Sequence, residues 1–114
     1  MKTLLVLEDE PSVMKLLRHM LKEYHVIEAT TPEEALIRFT DLNQVDLLVA
    51  DLILPNMSGL QVALNLRSKR AALPVILTSG CPASDWSARD SADLETLGGK
   101  TVAVLRNLFR KNFS

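Results

Sequence analysis

Apolar and polar positions alternate along this chain in two rhythms. Short apolar runs, Thr3–Leu7, Leu47–Asp51 and Val75–Ser79, are bounded by turn or charged residues and read as buried strands. Between them the apolar residues recur at helical spacing. Val13, Leu16, Leu17, Met20 and Leu21 follow i, i+3, i+4, i+7, i+8 and predict a helix over Ser12–Tyr24, with Pro11 in its first turn. Val26–Ala29 reads as a shorter strand. Thr31-Pro32-Glu33-Glu34 then opens a helix as a capping box, with Thr31 as N-cap and an inner face of Ala35, Leu36 and Phe39. Gly59–Arg70 reads as a helix that turns Leu60, Val62, Ala63, Leu64 and Leu66 mainly inward. Ser84–Leu97 is polar and reads as a loop leading into a short helix, and Gly98-Gly99 breaks it before a fifth strand at Thr101–Leu105.

Strands alternating with helices of this length predict an α/β fold built from βαβ units, with a parallel sheet and helices on both faces. The expected order of the five strands is 2-1-3-4-5, the flavodoxin-like arrangement. Two strands end in acids: Glu8-Asp9-Glu10 follows the first, and Asp51 closes the third. If those strands are parallel neighbours, the carboxylates meet at the sheet edge where open α/β sheets hold their ligands. Acids so close repel by roughly 4 kcal/mol per pair at 4 Å and an effective dielectric of 20. A hard divalent cation such as Mg²⁺ relieves that repulsion. Glu10 reads equally well as a ligand or as a charge favoured at a helix N-terminus.

Composition narrows the function. The chain has 114 residues, 47 % apolar and 24 % charged, and a formal net charge of −1. That suits one domain with a single core, and residues 1–114 are expected to form it without an output domain. No basic field points to nucleic acid, and no apolar run approaches a membrane span. One cysteine, Cys81, leaves no internal disulfide and suits the cytoplasm. His19 and His25 have no second ligand at metal spacing and read as surface residues. Arg67, Lys69 and Arg70 read as a solvated helix end, and Trp86 as a packing anchor for a loose segment.

With the acids after strand one, the run Asp51-x-x-x-Pro55-x-x-x-Gly59 and the strand Leu73-Pro74-Val75-Ile76-Leu77-Thr78-Ser79, the chain resembles the receiver domains of two-component response regulators. The resemblance covers residues 2 to about 109. It implies that Asp51 is the phosphoacceptor, taking a phosphoryl group from a histidine kinase or phosphotransfer protein as an acyl phosphate. Mg²⁺ would be held by Asp9, by Asp51 and by the backbone carbonyl of Ile53. Glu8, longer than the Asp often found at its position, has the reach to act through a water. Ser79, five residues past Pro74, matches the switch hydroxyl; its neighbour Thr78 should point to the other face. Pro55 would shape the loop after the acceptor and Gly59 would permit a tight helix entry. The resemblance makes the domain a signalling phosphoprotein with no enzymatic role beyond its own phosphorylation and dephosphorylation.

The chain also departs from that pattern. Asn107 stands at the usual lysine position, Leu108 at the following proline position and Val104 at the switch aromatic. Arg106 is one residue off and Lys100 lies at the wrong end of the strand. A lost charge-assisted hydrogen bond is worth roughly 1.5–3 kcal/mol. Leu108–Phe113 offers one or two turns where a full closing helix is usual. Four missing apolar side chains would forfeit roughly 6–12 kcal/mol of burial, which predicts a homodimer or other self-association through the uncovered region, or else a marginal monomer. The main expectation is therefore a stand-alone receiver that signals by changing its binding to a protein partner. The alternative is a degenerate receiver that serves as a phosphorylation-independent interaction module. A phosphohydrolase of the haloacid dehalogenase type would want a second Asp where Ile53 stands.

Overall fold

A computed structural model describes residues 2–42, 44–52, 54, 57–79 and 87–97, and the backbone of 102–106. Strands and helices alternate: β1 (Thr3–Leu7), α1 (Pro11–Met20), β2 (His25–Ala29), α2 (Pro32–Leu42), β3 (Leu47–Asp51), α3 (Gly59–Lys69), β4 (Val75–Ser79), α4 (Ala88–Leu97) and β5 (Val102–Arg106). The strands form one parallel sheet in the order β2-β1-β3-β4-β5. The chain begins in the middle of the sheet, steps outward to β2, then reverses to β3. The reversal puts the topological switch point between β1 and β3, where a crevice opens at the strands' carboxyl ends.

Alternation along each strand divides the core in two. Leu5, Leu7, Leu48, Ala50, Val75 and Leu77 face α2, α3 and α4, and pack with Ala35, Phe39, Leu60, Val62, Ala63, Leu66 and Leu97. The opposite side is thinner: Leu4, Val6 and Val49 meet Met14, with Leu17, Leu21, Val26, Leu47 and Ile76 only half-buried around them. Among the described residues α1 alone covers that face.

The local signals explain the boundaries. At α2, the Glu34 N–H donates to Thr31 Oγ1 as the capping pattern requires, while the Glu34 carboxylate reaches back to the N–H of Thr30, one residue earlier than the standard box. At α3, Ser58 Oγ accepts from the Gln61 N–H and Gln61 Oε1 from the Ser58 N–H, a full capping box. Ser58-x-x-Gln61 is the sequence form of this signal.

Some boundaries shift. Helix α1 ends at Met20, four residues before Tyr24, because His25 must already pair with Thr3 and donates its N–H to the Lys2 carbonyl. Met20 is consequently 62 % exposed, although its spacing put it on the inner face. Strand β5 runs one residue later than expected, and α3 ends at Lys69. Arg67 and Arg70 are not a solvated helix end. The Arg67 guanidinium donates to the carbonyls of Leu73 (2.9 Å) and Leu97 (2.6 Å), and Arg70 donates to the Val45 carbonyl while lying over the Phe39 ring. His19 and His25 are exposed. The expectations for Cys81, Trp86 and the closing helix lie outside the described residues, as do those for Ile53, Pro55, Lys100 and Asn107.

Candidate functional site

The register of β1 against β3 builds the site. Leu7 pairs with Ala50, so Glu8 and Asp51 follow side by side at the switch point. The Glu8 N–H still donates to the Ala29 carbonyl, which keeps this residue in the ladder. Period two places Glu8 with Leu4 and Val6, and Asp51 with Leu47 and Val49, on the side covered by α1. Both acids are buried, each 1 % exposed, and Asp9 is half-buried beside them.

One carboxylate oxygen from each of Glu8, Asp9 and Asp51 lies within 4.8 Å of the others. Burying ionised carboxylates together is unfavourable unless a positive charge joins them. Three convergent hard oxygen donors of this kind fit Mg²⁺, which prefers carboxylate and water oxygens and keeps part of its hydration shell. Glu8 is held in place: its Oε2 accepts from the Glu10 N–H at 2.9 Å. Glu10 itself is the α1 N-cap residue, and its side chain makes no capping bond.

The backbone after Asp51 is tied at both ends. The Leu52 N–H donates to the Thr78 carbonyl of β4, and the Gly59 N–H donates to the Leu52 carbonyl. Gly59 is needed here for close approach. A Cβ at this position would lie 2.2 Å from the Asp51 carbonyl oxygen, so the start of α3 touches the end of β3 directly. The expected tight helix entry is thus a contact with Asp51, which no local sequence signal announces.

At the end of β4, Thr78 is in register with Asp51, and Ser79 lies one residue further on. Both are buried. By the pleat, Thr78 shares the acid's side of the sheet, contrary to the expectation that it points to the other face, and Ser79 follows Val75 and Leu77 toward the α2–α4 side as the last residue of the strand. Strand β5 sets Arg106 in register with Ser79.

Residues 4–91 match the response regulator receiver domain family. The chain belongs to that family. It is 36 % identical over 78 residues to the alkaline phosphatase synthesis transcriptional regulatory protein PhoP of Bacillus subtilis, covering 67 % of this chain and 32 % of that protein. It is 30 % identical over 125 residues to the response regulator GtcR of Aneurinibacillus migulanus, covering 97 % of this chain and 50 % of GtcR. The receiver thus spans about a third to a half of the length of these curated relatives. Among solved structures it resembles the response regulator TrrA of Thermotoga maritima in complex with Mg²⁺-BeF, with a TM-score of 0.76, 30 % identity and 99 % and 93 % of the two chains covered. TrrA in complex with the histidine kinase ThkA gives a TM-score of 0.71 at 31 % identity, with 91 % and 85 % covered.

Among the described residues, no helix of this receiver is long and apolar enough to cross a membrane.

Proposed function

We propose that this receiver accepts a phosphoryl group on Asp51 from a phosphohistidine, on a histidine kinase or a phosphotransfer protein, and signals by changing its affinity for a protein partner. The observation that carries this reading is the convergence of Glu8, Asp9 and Asp51 within 4.8 Å at the β1–β3 switch point. The likeness to TrrA, which forms a complex with a histidine kinase and another with Mg²⁺-BeF, supports the same partner and the same ion here.

In the transfer, a carboxylate oxygen of Asp51 attacks phosphorus as the phosphorus–nitrogen bond to the donor imidazole breaks. The bonding pair of that bond leaves with the imidazole nitrogen, and an aspartyl phosphate remains. When bound, Mg²⁺ would supply positive charge that offsets the crowded acids and the incoming phosphoryl group. Asp9 and Asp51 would hold the ion, with Glu8 directly or through a water and the Ile53 carbonyl as a further ligand. What this chain's residues contribute is mainly position: Glu8 pinned by the Glu10 N–H, and Asp51 fixed by Gly59 and by the bonds at both ends of its loop. Ser79 is the hydroxyl that would bind a phosphoryl oxygen and draw the following loop inward.

The test is incubation with acetyl phosphate and Mg²⁺ followed by intact mass measurement. One added phosphoryl group is expected, absent in Asp51→Asn and without Mg²⁺. An unmodified wild-type chain under these conditions would leave the phosphorylation-independent interaction module, which Asn107 favours, as the better account.

A further inference from the structure

On the α1 side of the sheet, at the end opposite the acids, lies a groove of about 470 Å³. Leu4, Val49 and Ile76 are among its floor residues, Tyr24 forms part of one wall, and Lys2 and Asp46 stand at the rim. We propose that this groove is the contact surface for a second copy of the same chain. Three observations select that occupant.

The rim carries one cation and one anion, both exposed, so a two-fold axis brings the Lys2 of each copy to the Asp46 of the other. An anionic membrane or a strongly charged partner would instead call for a rim of one sign. At the wall of the hollow stands an aromatic side chain that remains 45 % exposed, Tyr24. A surface with a projection and a hollow side by side can fill itself by symmetry, each copy's Tyr24 entering the other's groove. Finally, this is the thinly covered face, where Leu17, Leu21, Leu47 and Ile76 remain half-buried. The interface is remote from Asp51 and stands whether or not Asp51 is phosphorylated.

The experiment is light scattering after gel filtration, with sedimentation at increasing concentrations of the full chain. A concentration-dependent dimer is expected. Tyr24→Ala and Lys2→Glu should each weaken it by about tenfold or more while circular dichroism stays unchanged. Asp46→Lys should also dissociate the dimer, and mixing the Lys2→Glu chain with the Asp46→Lys chain should restore it, because the hybrid regains both opposite-charge pairs. Asp51→Asn should dimerise like the wild type, which separates this result from the phosphorylation test. A monomer at every concentration overturns the proposal. So does a dimer indifferent to Lys2→Glu and Tyr24→Ala. A monomer that dimerises only when residues 107–114 are deleted overturns it too, since the groove would then hold the chain's own C-terminal segment.

Discussion

An alanine at position 59 would bring its Cβ to 2.2 Å from the Asp51 carbonyl oxygen, inside any permitted contact. The strand end or the start of α3 must move. Overpacking of this kind costs about 1–3 kcal/mol. Gly59→Ala is expected to lower the urea midpoint accordingly, and, on the proposed function, to slow phosphorylation by acetyl phosphate because the backbone of Asp51 shifts. The two hydroxyls ending β4 make a second residue-level test. Ser79→Ala should weaken Mg²⁺-BeF binding, read by titration, more than Thr78→Val does. Equal effects would transfer the phosphoryl contact to the residue in register with Asp51. The acids were legible in the sequence because apolar runs ending in carboxylates mark strand ends at a crevice. The reason for Gly59 was not legible, since it depends on a contact between residues eight apart across a loop.

Ser58→Ala removes the acceptor of the Gln61 N–H and should cost about 0.5–2 kcal/mol in urea unfolding. At α2 and β2 the expected signature is pH dependence. The Thr30 N–H, helped by Arg38, holds the Glu34 carboxyl below its ordinary value of 4.5. The Arg18 hydrogen bond, with the attraction of its charge, does the same for Glu28. With folded values below unfolded ones, the unfolded chain binds more protons in acid. Both contributions are therefore complete above about pH 4.5 and drain away as pH falls through the lowered values. Glu34→Gln and Glu28→Gln should each flatten the acid limb of a stability–pH profile. Strands β1, β3 and β4 match the sequence expectation because burial on both faces leaves unbroken apolar runs. The end of α1 was overrun because Leu21 and Tyr24 continue an apolar pattern, while the pairing that stops the helix, His25 with Thr3, is tertiary.

Across the whole molecule, the acid cluster and the arginine straps pull stability in opposite directions. Arg67 ties the last turns of α3 to the carbonyl before β4 and to the end of α4, 30 residues away in sequence. The sequence could not show this, because a basic residue in a helix's last turn is favoured by the helix dipole alone. The acids work the other way: two buried carboxylates and a half-buried third share one small space. Without metal, Asp51→Asn takes one negative charge out of the cluster and is expected to raise the urea midpoint. With Mg²⁺ the order should reverse. An ion that binds only the folded state adds about 2.7 kcal/mol at a hundredfold excess over its dissociation constant. The wild type should gain that increment in thermal unfolding, while Asp51→Asn and Asp9→Asn gain little. A melting temperature indifferent to Mg²⁺ in the wild type, or a metal-free Asp51→Asn chain less stable than the wild type, would mean that the three acids are neutralised by the protein itself and not held ready for a cation.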